Sequence, residues 1–121
     1  MSGVAVAIGI ALAGGFGAAV RHLVDTSLPD RVRARFPWGI MLINLSGSFA
    51  LGLLVGLALD HPIASMLSVG FLGGYTTFST ASLDSVRLLA ARRYGAALWN
   101  GPGMLIFATA LAVLGIVLTR S

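Results

Sequence analysis

The sequence predicts an all-α membrane protein of four transmembrane helices, the third of them broken. Three observations predict it. Four apolar stretches recur along 121 residues, and the chain is 57% hydrophobic but only 10% charged. Its mean hydropathy of +0.94 lies far outside the soluble range. The charges gather at the ends of those stretches, and the third stretch is interrupted midway by Gly73-Gly74-Tyr75-Thr76-Thr77. A chain of this length leaves no room for a second domain, so residues 1–121 read as one four-helix transmembrane unit.

The first span is expected over about 3–24. Gly3 to Val20 is an uninterrupted run of apolar or small residues, closed by Arg21 and His22. At about 1.5 Å per residue it reaches about 27 Å, and Leu23 and Val24 extend it toward the thickness of a hydrocarbon core. The run lacks the positive residues that precede the apolar core of a signal peptide, so a retained helix is expected. Asp25 to Pro37 reads as a loop with two prolines and then Arg31, Arg33 and Arg35.

The second span is expected over about 38–59. Trp38 opens it, where an indole favours the membrane interface. Asn44, Ser48, Gly52 and Gly56 recur every four residues and share one face. Gly52 and Gly56 form a GxxxG pair, read here as close helix packing. An amide within a span is costly unless it bonds something. Asn44 therefore has two readings at this stage, interhelical glue or ligand donor.

The third span is expected over about 63–93, with its break at 73–77. Ile63 to Gly74 is twelve residues, about 18 Å of helix, too short to cross alone. Gly costs roughly 1 kcal/mol against Ala in a helix interior, and Thr is a middling helix former. Beyond the break, Asp84 and Arg87 lie three apart and can pair. Arg92 and Arg93 mark the aqueous end, and Tyr94-Gly95 reads as a short turn. The fourth span is expected over about 96–118, loosened near its start by Gly101-Pro102-Gly103.

The arginines set an orientation. The loops after the first and third spans, with their edges, carry Arg21, Arg31, Arg33, Arg35, Arg87, Arg92 and Arg93, against Arg120 alone on the other side. The positive-inside rule places those loops in the cytoplasm and both termini outside. A pI near 11.2 would suggest nucleic acid in a soluble protein; here the arginines flank apolar runs and read as topology signals. There is no Cys, no Glu and no Lys. His22 and His61 have no partner at ligand spacing, and no nucleophile–base or metal constellation points to an enzyme.

In lipid, the backbone groups freed by a broken helix must find partners in protein or in a watery cavity. Carbonyls there, with the hydroxyls of Thr76, Thr77, Ser79 and Thr80, suit a hard cation. The nearest carboxylate, Asp84, stands seven residues beyond Thr77, about two turns away. Neutral oxygens without an acid favour Na⁺ over a divalent ion. The new helix N-terminus near Phe78 presents amides and a positive dipole end to an anion. The alternative, a kink serving only packing, stays open on these residues alone.

Three motifs together resemble the Fluc (CrcB) family of fluoride channels, and the resemblance covers nearly the whole chain. Gly14-Gly15-Phe16-Gly17-Ala18-Ala19-Val20-Arg21-His22 is similar to the family's first helix. Trp38-Gly39-Ile40-Met41-Leu42-Ile43-Asn44-Leu45-Ser46-Gly47-Ser48-Phe49 is similar to its second. Gly73-Gly74-Tyr75-Thr76-Thr77-Phe78-Ser79-Thr80 matches the signature of its third. The resemblance implies a passive channel that lets cytoplasmic fluoride out across the cell membrane, built as an antiparallel dimer around a structural Na⁺. It implies Gly74 and Thr77 as backbone-carbonyl ligands of that Na⁺, Asn44 as pore amide, Phe78 as a ring whose edge faces the ion, and Arg21 as vestibule arginine. Ser48, Ser79, Thr80 and Asp84 complete the expected path.

The chain departs from the family pattern in three places. Ala81 stands where a second Phe is usual, and Asp84 where Glu is common. The fourth span reads Asn100-Gly101-Pro102-Gly103-Met104-Leu105-Ile106, without the usual Tyr and hydroxyl track, and Thr109 is its first hydroxyl. A subunit with so one-sided a charge bias is expected to pair with a related subunit of opposite orientation rather than with itself. A partly degenerate or non-conducting partner subunit is the alternative. Small multidrug exporters are a rival of similar size, but they need a membrane-embedded Glu that this chain lacks.

Overall fold

A computed structural model describes residues 2–58 and 60–120. Helix α1 (Gly3–Thr26) starts where Ser2 Oγ accepts the Ala5 N–H at 3.1 Å. It runs two residues past the expected end. A short helix α2 (Asp30–Arg35) occupies part of the stretch expected to be loop, with Asp30 in its first turn, where a carboxylate complements the helix dipole. Helix α3 (Trp38–Leu57) stops at Ala58, whose left-handed φ of 51° ends the helix ahead of the expected boundary. That boundary, Leu59, lies outside the described residues.

The third apolar stretch forms two helices. Helix α4 covers residues 62–75, with Pro62 in its first turn and the His61 ring nitrogen Nδ1 accepting the Ile63 N–H at 3.1 Å. His61 is thus a helix cap. The middle of α4, Met66–Leu72, is wound as a wide π-helical stretch. Helix α5 (Phe78–Ala90) follows. It closes with Arg92 in left-handed backbone at φ 58°, the Arg92 and Arg93 N–H groups returning to Leu89 and Leu88. Helix α6 (Tyr94–Arg120) takes in Tyr94 and Gly95 as its first residues rather than as a turn. Its own wide stretch, Trp99–Gly103, holds Pro102, so the expected loosening falls there. Wide turns of this kind recur at functional sites.

Helices α1, α3 and α6 are each long and apolar enough to cross a membrane. Their outer surfaces are apolar too: Leu12 is 71% exposed and Ile106 68%, as lipid rather than water as solvent allows. Helix α3 lies directly on α6. A Cβ at Gly52 would overlap the Ala112 carbonyl, and one at Gly115 would come 2.6 Å from the Phe49 carbonyl oxygen. Small residues on both sides therefore let these backbones touch, which bears out the packing role read for Gly52. Helix α1 lies on α4 in the same manner, Gly17 facing the Phe71 carbonyl and Gly74 facing Gly14. The buried side chains form two small clusters under α3, one around Phe36, Met41 and Leu88 and one around Ile40, Ile43 and Ala81.

Candidate functional site

The break between α4 and α5 falls on the threonines and not on the glycines. Gly73 has helical angles, φ −61° and ψ −39°, and Gly74 is likewise within the helix. Thr76 and Thr77 are extended, at φ −80°, ψ 157° and φ −147°, ψ 124°. Gly74 is small because α1 approaches it. Nothing lies within 4 Å of where a Gly73 side chain would start, and Gly73 is exposed.

The interruption diverts specific hydrogen bonds. Thr76 N–H still closes α4 by donating to the Leu72 carbonyl at 2.9 Å. In an unbroken helix the Thr77 N–H would donate to the Gly73 carbonyl. It goes instead to Asn44 Oδ1 at 2.8 Å. The Thr80 N–H would likewise return to the Thr76 carbonyl; it goes to Thr77 Oγ1 at 3.3 Å, which caps α5. Gly73 and Thr76 are therefore the carbonyls whose helical donors the structure shows turned elsewhere. Arg21 Nη1 donates to the Thr76 carbonyl at 3.3 Å, which leaves that oxygen a second lone pair.

Asn44 is 8% exposed and grips one peptide from both sides. Its Nδ2 donates to the Thr77 carbonyl at 2.8 Å while its Oδ1 takes the Thr77 N–H. The second Nδ2 hydrogen faces Met104 Sδ at 3.6 Å, a weak acceptor. Of the two readings open for Asn44, glue is what these bonds show within the chain. Thr77's carbonyl accepts Asn44 and, as an N-cap carbonyl, also serves the first turn of α5. It is the most committed oxygen at the break.

A cavity of about 550 Å³ opens beside the break, walled by α3, α4, α5 and α6. It brings together four of the expected site residues, Asn44, Ser48, Thr77 and Phe78, and adds Gly73 and Thr76. Phe78 is 85% exposed. Gly74 lies away from this cavity, against α1. Ser79 and Thr80 are exposed on the first turn of α5. Asp84 stands further along α5, 3.8 Å from Arg87, so the pairing read from their spacing is present. Thr109 spends its hydroxyl on its own helix, donating to the Leu105 carbonyl at 2.8 Å.

Sequence reasoning missed Asn100. It is fully buried in the wide stretch of α6, lines the same cavity, and bonds to α5. The available signal was the one used for Asn44: an amide inside an apolar span.

An all-helical fold with several apolar crossings, an interrupted helix and a polar cavity at the interruption defines a multi-pass membrane protein with a solute site at membrane depth. A family model described as CrcB-like protein, Camphor Resistance (CrcB), matches residues 8–116. The chain belongs to that family, the Fluc (CrcB) family. It is similar to "Fluoride-specific ion channel FluC 1" of Leifsonia xyli, 47% identical over 115 residues, covering 92% of this chain and 84% of the relative. It is 42% identical over 112 residues to "Fluoride-specific ion channel FluC 2" of Mycobacterium bovis, covering 93% and 89%. It is 40% identical over 116 residues to "Fluoride-specific ion channel FluC" of Solibacter usitatus, covering 92% and 95%.

Proposed function

We propose that this chain is the subunit of a passive, fluoride-selective channel in the cell membrane that exports cytoplasmic fluoride. It is a channel subunit and not an enzyme. The observation that carries the reading is the interruption at Thr76-Thr77, set beside a cavity and next to the exposed ring of Phe78. The relatives' names supply the ion. Fluoride is small and strongly hydrated, so a selective path must offer close donors in place of water. The first-turn amides of α5 and the positive ring edge of Phe78 are such groups.

In this reading α4 and α5 together make the third of four crossings. The Arg-rich loops face the cytoplasm and both termini lie outside. The exposed Gly73 and Phe78 are covered by a second subunit in antiparallel orientation, a related chain of opposite charge bias.

A structural Na⁺ fits the oxygens at the break, which are neutral backbone carbonyls with no carboxylate on the cavity wall. The diverted bonds favour the carbonyls of Gly73 and Thr76 as its ligands. These stand one residue before Gly74 and Thr77, the pair the resemblance implied. When bound, the ion would supply fixed positive charge beside the anion path. Asn44 holds the Thr77 peptide extended, and so keeps the carbonyls before it turned out of helical bonding.

Fluoride efflux from liposomes tests the reading, with this chain alone and then with a related subunit of opposite bias. The expected result is release of fluoride but not chloride, without a pH gradient, and lost when Na⁺ is replaced by a large organic cation. Chloride passing as readily as fluoride, or a need for a proton gradient, would count against a selective channel. Full activity with Na⁺ rigorously excluded would remove the cation site. Reporter fusions at both termini test orientation; equal signal on the two sides would restore a homodimer of dual topology.

A further inference from the structure

Asn100 sits in the wide stretch of α6 and is 0% exposed. Its Nδ2 gives both hydrogens to α5, one to the Ala81 carbonyl at 3.0 Å and one to Ser85 Oγ at 2.9 Å. The Ser85 hydroxyl in turn donates to the same Ala81 carbonyl at 3.0 Å. This triangle fixes which way the amide faces. Turning it over would set Oδ1 against the Ala81 carbonyl, acceptor against acceptor. Oδ1 is therefore held as an acceptor, and it is buried without a hydrogen-bond partner.

An unpaired buried acceptor is expensive, and in a native structure it points to a water or ion that completes it. Asn100 lines the cavity beside Ala81 and Ser82, on the wall that also carries Phe78. Ala81 ends at Cβ, so no ring fills the space next to the amide. A bare oxygen here would repel an anion. A water that donates one O–H to Oδ1 keeps its other O–H for the cavity. The bound water then converts a fixed acceptor into a donor facing the ion, and the ion supplies the second polar partner a buried water needs.

We propose that Asn100, oriented by Ser85, holds a water that donates to the permeating anion, and that it is a specificity-determining residue of the path. This rests on the channel reading above. Fluoride, the smaller and stronger acceptor, gains more from such a donor than chloride does.

The experiment compares fluoride and chloride flux in liposomes for the wild type and Asn100→Leu, each with and without Ala81→Phe. Asn100→Leu is expected to lower fluoride flux about tenfold and leave chloride flux unchanged, since a donor to a charged group is lost. With Ala81→Phe the ring fills the space of the water, and Asn100→Leu then changes fluoride flux by less than about twofold. Equal losses in both backgrounds, or parallel losses of fluoride and chloride, would reduce Asn100 to a packing residue and overturn the proposal. Should Asn100→Leu fail to fold, a wild-type structure with ordered waters decides. A water in hydrogen-bonding distance of Asn100 Oδ1 upholds the proposal, and an empty position there sinks it. Wild-type protein that passes no fluoride overturns the channel reading instead, and the water still reads out on its own.

Discussion

Along the seam between α3 and α6, backbones meet through Gly52, Gly56 and Gly115, with carbonyls lying where side chains would start. At the junction between α4 and α5, by contrast, side chains do the joining. Asn44 grips the Thr77 peptide, Arg21 reaches the Thr76 carbonyl, and Asn100 reaches the Ala81 carbonyl from α6. The seam leaves its helices whole and needs only smallness. The junction breaks a helix and must replace each lost backbone bond with a side-chain partner, because lipid offers none. Packing thus holds the molecule together where nothing passes. Polar clamps appear where backbone groups are exposed for use.

The two regions should respond differently to substitution. Asn44→Leu has the largest expected effect on transport. It strands both the N–H and the carbonyl of Thr77, each a loss of about 1–3 kcal/mol. Fluoride flux should fall by about 100-fold or more, while purified protein remains helical by circular dichroism. Retained flux would show that the break does not depend on this clamp. Gly52→Val should do the reverse. Overpacking the seam costs about 1–3 kcal/mol, read as an earlier midpoint in SDS unfolding from mild detergent. Flux per folded channel should stay near wild type, and a selective loss of flux would blur the division drawn here.

Arg21→Met removes one longer, partly buried bond to the junction. A charge-assisted bond of this kind suggests about a tenfold drop in flux, with Arg21→Lys falling between. No change would place Arg21 outside the working parts. The smallest effect belongs to a third kind of site, the end of α5. Arg92 adopts the left-handed conformation that glycine takes freely. Arg92→Gly should stabilise the protein by about 1 kcal/mol in the same unfolding assay, and it should leave the ratio of fluoride to chloride flux unmoved.

The long crossings were legible in the sequence because apolar length alone decides them. Their ends were less so, since the αL turn at Ala58, the cap from His61 and the extra turn at Tyr94 are local backbone events. The presence of a break was legible from Gly73-Gly74-Tyr75-Thr76-Thr77, but its position was not. Glycine is a poor helix former, yet here both glycines stay helical, and Gly74 faces α1 rather than the opening. What bends the chain is the partner waiting for Thr77 on another helix, a tertiary fact that propensity cannot carry. Asn44 stood out as an expensive amide, although its target thirty-three residues away did not. Asn100 went unnoticed because Gly101-Pro102-Gly103 drew the reading of that stretch toward looseness rather than toward its one polar side chain.

The wide stretch at Trp99–Gly103 also bears on how such a chain can change length over generations. Its hydrogen bonds reach five residues back where an ordinary turn reaches four. A single-residue deletion inside an ordinary membrane helix rotates everything beyond it by about 100°, turning lipid-facing side chains inward. Within Trp99–Gly103 the same deletion lets the wide turn relax to a normal one, and Trp99 and Phe107, stacked at 5.3 Å across it, mark the two faces that must stay in phase. This stretch is where a lineage can gain or lose one residue in mid-membrane, so positions counted from the two ends of α6 need not agree between relatives.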